Sequence, residues 1–128
     1  MELYSRTVVD HFVKPRLTEA LDRVDGSGSS NSVDPECPDR VTMNVQIDGD
    51  RIVAIHQQTE GCVATSAAAS FLAERLQGAT IDDARALTEA QLRAALGGVP
   101  ERHTHCLDVP INALAMALDV ATADRDTK

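Results

Sequence analysis

Apolar and polar residues alternate without a break from Val41 to Ile47. Val41, Met43, Val45 and Ile47 fall on one side, and Thr42, Asn44 and Gln46 on the other. A period of two marks a half-buried strand. Asp48-Gly49-Asp50 then carries the residues of a hairpin turn. Arg51 to Thr59 is the returning strand, with Ile52, Val53 and Ile55 supplying apolar contacts. Elsewhere the period lengthens to that of a helix. Tyr4, Val8, Val9 and Phe12 share roughly one face of a helix over Leu3 to Val13, which Pro15 ends. Ala64 to Gln77 is a helix with a small-residue face and a glycine stop at Gly78. Thr80 to Leu87 and Thr88 to Leu96 are two short helices with threonine N-caps, and Gly97-Gly98 follows the second. The last helix starts near Asp108 as N-cap, with Pro110 in its first turn. Its stripe is Ile111, Leu114, Ala115 and Leu118, and Asp124 to Lys128 reads as a frayed tail. Asp25 to Pro35 is rich in glycine and serine and reads as a solvated connector.

Composition narrows the function classes. The 128 residues suit a single domain, 1–128, with a real core. Hydrophobic residues make up 43% of the chain, yet the only aromatic residues are Tyr4, Phe12 and Phe71. The core is therefore aliphatic, and a stacking platform for nucleic acid has almost no raw material. A net charge of −8 repels a phosphate backbone, so no nucleic-acid partner is expected. Met1 to Asp10 lacks the basic stretch and apolar run of a signal peptide. No run of about 18 apolar residues exists, so no membrane helix is expected. An odd cysteine count without a secretion signal points to reduced thiols in the cytoplasm.

The three cysteines carry the candidate chemistry. Cys37, Cys62 and Cys106 each stand at the edge of a predicted element, outside the apolar stripes. Cys62 and Cys106 lie just before helix N-termini, whose partial positive charge favours an anion. Pairing across a Gly49-Asp50 turn sets Cys37 opposite Cys62, and pairing across Asp48-Gly49 sets Glu60 opposite Cys37. Either register brings Cys37 and Cys62 to the same end of the hairpin. Thiolates suit a soft metal or sulfur, with imidazole or carboxylate completing four-coordination. Asp39, His105 and His103 are the nearby candidates for a fourth position, His103 being the weakest. Three thiolates with one weaker ligand make a site that loads and unloads more easily than four thiolates. Taken singly, each cysteine is most simply a small buried hydrophobe, Asp39 a loop solvator and His105 a surface residue. His11 and His56 read as structural or exposed. Their joint occurrence at element junctions is what favours a site.

Four segments resemble the U-type iron–sulfur cluster assembly scaffolds, the family of IscU, SufU and the NifU N-terminal domain. They are Leu3-Tyr4-Ser5 through Asp10-His11-Phe12 and Pro15-Arg16, Cys37-Pro38-Asp39, Thr59-Glu60-Gly61-Cys62 with its Ala/Ser-rich helix, and His105-Cys106 before the final helix. The resemblance implies an α+β, SufE/NifU-like fold: a small three-stranded antiparallel sheet with helices packed on one face. It requires a first strand within residues 24 to 36. It implies a 2Fe–2S cluster built on Cys37, Cys62 and Cys106, with Asp39 and His105 completing the site or affecting release. Sulfur would come as persulfide from a cysteine desulfurase, with Cys106 as acceptor, and iron from a donor. The cluster would pass to apo iron–sulfur acceptor proteins, and zinc can occupy the same site. Four departures stand out. Pro38 replaces the family's glycine, Leu17 replaces an asparagine after Pro15-Arg16, and His103 stands where a lysine is usual. The chaperone-recruiting Leu-Pro-Pro-x-Lys segment has become Val99-Pro100-Glu101-Arg102-His103, which puts chaperone dependence in doubt. An alternative reading is a zinc-binding sulfurtransferase, in which Cys106 carries persulfide while zinc holds the other thiolates.

Overall fold

The computed structural model describes residues 4–32, 38–100 and 106–126. Three strands, β1 (Gly26–Asn31), β2 (Arg40–Asp48) and β3 (Arg51–Glu60), form an antiparallel sheet in the order β1-β2-β3. Five α-helices accompany it among the described residues: α1 (Arg6–Val13), α2 (Val63–Leu76), α3 (Ile81–Ala86), α4 (Glu89–Ala95) and α5 (Asp108–Asp126). Helix α5 lies over β1 and β2, α2 lies against β3, and α1 packs on α2. The strand read from alternation is β2: Val41, Met43, Val45 and Ile47 are buried under the helices, and Thr42, Asn44 and Gln46 are half-buried on the opposite face. That outer face is polar and cross-linked, with Ser29 against Thr42 at 3.2 Å and Asn44 against His56 at 2.9 Å.

Several expectations change in detail. The turn falls at Gly49-Asp50, with Gly49 at φ +62° and Asp48 opposite Arg51. The ladder then slips by one residue, since Ile47 pairs with Ile52 but Gln46 with Ala54. Val53 is the extra residue of this bulge, so Ile52 and Ile55 both point inward while Val53 is exposed. Helix α1 begins at Arg6 rather than Leu3, because the Ser5 hydroxyl accepts from Val8 N–H at 3.1 Å and acts as its N-cap. Asp108 lies inside α5 instead of capping it, and a single 3₁₀ turn at Cys106-Leu107 leads in. The expected frayed tail is helical as far as Asp126. The threonine caps are as anticipated: Thr80 accepts from Asp83 N–H, and Thr88 forms a capping box with Gln91.

The largest correction concerns the expected connector. Residues Gly26–Asn31 are β1, within the window where the family resemblance required a strand. Gly26 and Gly28 are there because α5 rests on them. A Cβ at Gly28 would lie 2.6 Å from Ala117 N, and one at Gly26 would lie 2.7 Å from Ala121 N. Backbone cannot move aside as a side chain can, so only glycine admits this approach. Ala113, Ala117 and Ala121, all buried, complete the contact from the α5 side.

The segment after α1 is pinned to the free edge of β3. Gln57 N–H donates to Leu17 O at 2.8 Å, and the buried Gln57 amide donates to Arg16 O at 3.0 Å. Leu17 sits at φ +57°, a left-handed conformation that asparagine tolerates better. His11 is buried and structural. Its Nδ1 lies 2.8 Å from Ser70 Oγ, which also accepts Arg16 N–H at 2.9 Å. The other ring nitrogen, Nε2, faces Glu74 at 3.8 Å, so the imidazole is engaged at both ends. Phe71 meets the ring edge-on at 5.3 Å.

Burial, reinforced by the Arg16 charge, holds the His11 pKa below its ordinary value, against the opposing pull of Glu74 and Asp10. The unfolded chain therefore binds this proton first as pH falls. The stability that neutral His11 contributes is complete above about pH 6.5 and is lost as pH falls from there through the lower folded value. Urea midpoints measured from pH 8 to pH 5 should fall over this window, and His11→Gln should flatten the fall.

Candidate functional site

Asp39 opens the site at the start of β2. Its side chain is 2% exposed and reaches across to the head of α2. Oδ1 accepts the Cys62 N–H at 2.8 Å, and Oδ2 accepts the Thr65 hydroxyl at 2.6 Å. Cys62 is the N-cap of α2, with extended backbone (φ −72°, ψ 173°) and no side-chain capping bond of its own. A carboxylate from β2 thus covers part of the donor-rich helix start that the cap residue leaves open. Gly61 makes room: a Cβ there would lie 2.9 Å from Asp39 Cγ.

Cys106 arrives from the other side of the sequence, in the turn that leads into α5. Its Sγ is 3.7 Å from Cys62 Sγ although the two residues are 44 apart in the chain. Cys62 Sγ is also 3.7 Å from Asp39 Oδ2 and 3.4 Å from Thr65 Oγ1. The ligand atoms of Asp39, Cys62 and Cys106 all lie within 4.8 Å of one another. Two soft sulfurs with one carboxylate oxygen form a donor set that suits zinc or iron.

The two thiols differ. Cys62 is half-buried, while Cys106 has no exposed surface. Burial, first, and then the neighbouring Cys62 push the Cys106 thiol up, with the Thr65 hydroxyl opposing. Although both stand outside the apolar stripes of the sequence, solvent reaches Cys62 and does not reach Cys106. Its surroundings still include polar groups, namely Thr65, Cys62 and Asp39. Asp39 is likewise buried in the site rather than solvating a loop. Cys37, His103 and His105 lie outside the described residues, as does the opposition of Cys37 to Cys62; the described β2–β3 ladder ends at the Arg40–Glu60 pair. His56 sits on the outer face of the sheet, bonded to Asn44. Thr65 escaped notice because a threonine inside an alanine-rich helix reads as neutral. Its spacing of three from Cys62, which puts both on one helical face, was the available signal.

The fold is a small α+β arrangement in which one carboxylate and two thiols are clustered closely enough to hold a metal ion. The chain belongs to the family described as NifU-like N terminal domain, whose model matches residues 3–125. Among its relatives, the iron–sulfur cluster assembly scaffold protein IscU 1 of Archaeoglobus fulgidus is 35% identical over 116 residues, covering 91% of this chain and 74% of that protein. The scaffold protein IscU of Aquifex aeolicus is 32% identical over 117 residues, covering 90% and 73%. Among solved structures, the N-terminal part of a nitrogen-fixing NifU-like protein from Brucella abortus matches with a TM-score of 0.77 at 15% identity, over 95% of this chain and 96% of that one. A putative scaffold for the SUF system from Fervidobacterium islandicum matches with a TM-score of 0.70 at 20% identity, over 91% and 97%. At such identities the structural likeness speaks for the fold. No helix among the described residues is long and apolar enough to cross a membrane.

Alkylation tests the asymmetry of the thiols. In the metal-free folded protein at pH 7.5, iodoacetamide should modify Cys62 at least roughly tenfold faster than Cys106, because exposure and thiolate fraction govern the rate. Peptide mass mapping reads both rates, and unfolding in urea should abolish the difference. Equal rates in the folded protein would contradict the burial of Cys106.

Proposed function

We propose that this chain is a scaffold and carrier for iron–sulfur cluster assembly, not a catalyst that turns over a small molecule. One observation carries the reading: two sulfurs remote in sequence and a carboxylate from a third segment converge at the head of α2, 3.7 Å separating the sulfurs. The scaffold relatives, which match most of the chain, support it. In this reading the cargo is a 2Fe–2S cluster held by Cys37, Cys62 and Cys106, with Asp39 and His105 as the harder ligands. Zinc competes for the same donors. Sulfur arrives as persulfide from a cysteine desulfurase, a two-electron donor reduces it to the sulfide of the cluster, iron comes from a donor, and the finished cluster passes to apo-proteins in the cytoplasm.

The residues of this chain have separable tasks. Cys62, half-buried at a helix end, presents the accessible sulfur. Cys106 is the proposed persulfide acceptor, and its burial means that docking of the desulfurase must expose it. Asp39, already held by Cys62 N–H and Thr65, offers oxygen beside sulfur, a weaker ligand that lets the cargo leave.

Anaerobic reconstitution with ferrous iron, cysteine, a thiol reductant and a desulfurase tests the assignment. The wild type should gain an oxygen-sensitive brown colour with matched iron and acid-labile sulfide. Cys37→Ser, Cys62→Ser and Cys106→Ser should each lower both stoichiometries severalfold. Unchanged values in all three variants would overturn the site assignment. Persulfide passing to a partner cysteine without iron would instead favour the sulfurtransferase reading.

A further inference from the structure

Thr65 has no exposed surface, yet its hydroxyl is the point where the carboxylate and the two described thiols meet. It donates to Asp39 Oδ2 at 2.6 Å, lies 3.4 Å from Cys62 Sγ and borders the Cys106 thiol. A buried threonine in a helix ordinarily turns its hydroxyl onto a carbonyl of its own preceding turn. The next residue, Ser66, follows that habit, with its hydroxyl toward Gly61 O at 3.5 Å. Thr65 instead spends its single proton on another element, 26 residues away in sequence.

That bond decides how Asp39 is aimed. With Oδ1 fixed by Cys62 N–H and Oδ2 by Thr65, the plane of the carboxyl group is set from both ends. Oδ2 is the oxygen beside Cys62 Sγ, at 3.7 Å. Each carboxylate oxygen has two lone-pair positions, so Oδ2 can accept from Thr65 and also face the Cys62 sulfur, where a metal would replace the thiol proton. Loss of the Thr65 hydroxyl removes the shorter of these two bonds, and with it the hold on Oδ2 from the α2 side. Pro38, which stiffens the backbone just before Asp39, does not restrain the Asp39 side chain.

The geometry points to Thr65 as a positioning residue for Asp39: its hydroxyl orients the carboxylate toward the sulfurs and so sets the affinity of the site for metal. The inference rests on the reading of Asp39, Cys62 and Cys106 as a metal-binding site. Groups that orient a metal's ligands from behind typically alter affinity by about 10–100-fold when removed.

The test compares wild type with Thr65→Val, which keeps the branched shape but loses the hydroxyl, and Thr65→Ser, which keeps the hydroxyl. Thr65→Ala is a second hydroxyl-free variant in case valine disturbs the packing of α2. Zinc affinity is measured by chelator competition, cobalt(II) spectra report the ligand geometry, and urea midpoints of the metal-free proteins report stability. Thr65→Val and Thr65→Ala should bind zinc about 10–100-fold more weakly and shift the cobalt ligand-field bands. Thr65→Ser should stay within a few fold of wild type. Hydroxyl-free variants with wild-type affinity and spectra, even if less stable, would reduce Thr65 to a packing residue and overturn the inference. A wild type that shows no thiolate-to-cobalt absorption would overturn the underlying site reading itself, and the inference with it.

Discussion

The carboxyl group of Asp39 is the contact on which the arrangement of the site depends. It leaves β2, crosses to the head of α2 and accepts two hydrogen bonds there, from Cys62 N–H and Thr65 Oγ1. Buried hydrogen bonds of this type, once made, are costly to break: removing a partner leaves a desolvated group worth about 1–3 kcal/mol. Exposed ion pairs such as Arg85–Asp119 contribute about 0–1 kcal/mol. The interior link therefore outweighs any single surface pair in fixing where Cys62 sits. Gly61 belongs to the same device, since any side chain there would displace Asp39.

A second constraint delivers Cys106. Helix α5 can bring its first turn to the head of α2 only because its middle lies almost on the backbone of β1. Gly26 and Gly28 on one side, and Ala113, Ala117 and Ala121 on the other, set that closeness. The polar site is thus held by aliphatic packing well away from it. An aliphatic core, in which none of the chain's three aromatic side chains is fully buried, suits this design, because small residues pack backbones tightly where rings would hold them apart.

Much of this was legible from the chain. The strict alternation in β2, the glycine turn, the threonine caps and the alanine-rich helix after Cys62 are local signals, and the structure contains each of them. The family resemblance called for a first strand that residue patterns did not reveal. Glycine and serine in β1 mimic a linker because the reason for them, the backbone of α5, lies more than 80 positions downstream. The bulge at Val53 was equally hidden: pairing across the hairpin can be counted from the turn, but an inserted residue leaves no mark in the apolar pattern. Cys62 and Cys106 were flagged by position, but their contact and the burial of Cys106 are properties of the assembled core. Thr65 offered only its spacing of three from Cys62, for the same reason. Its meaning comes from Asp39, which reaches it across a turn and two elements.

The central claim is that folding assembles a sulfur-rich metal site from separated segments, and X-ray absorption at the zinc edge tests it directly. Zinc-loaded protein should show a first shell dominated by sulfur at about 2.3 Å, with a smaller contribution from oxygen or nitrogen. Cys62→Ser and Cys106→Ser should each remove one sulfur from that shell. A first shell of nitrogen and oxygen alone, or a sulfur count unaffected by either substitution, would contradict the account.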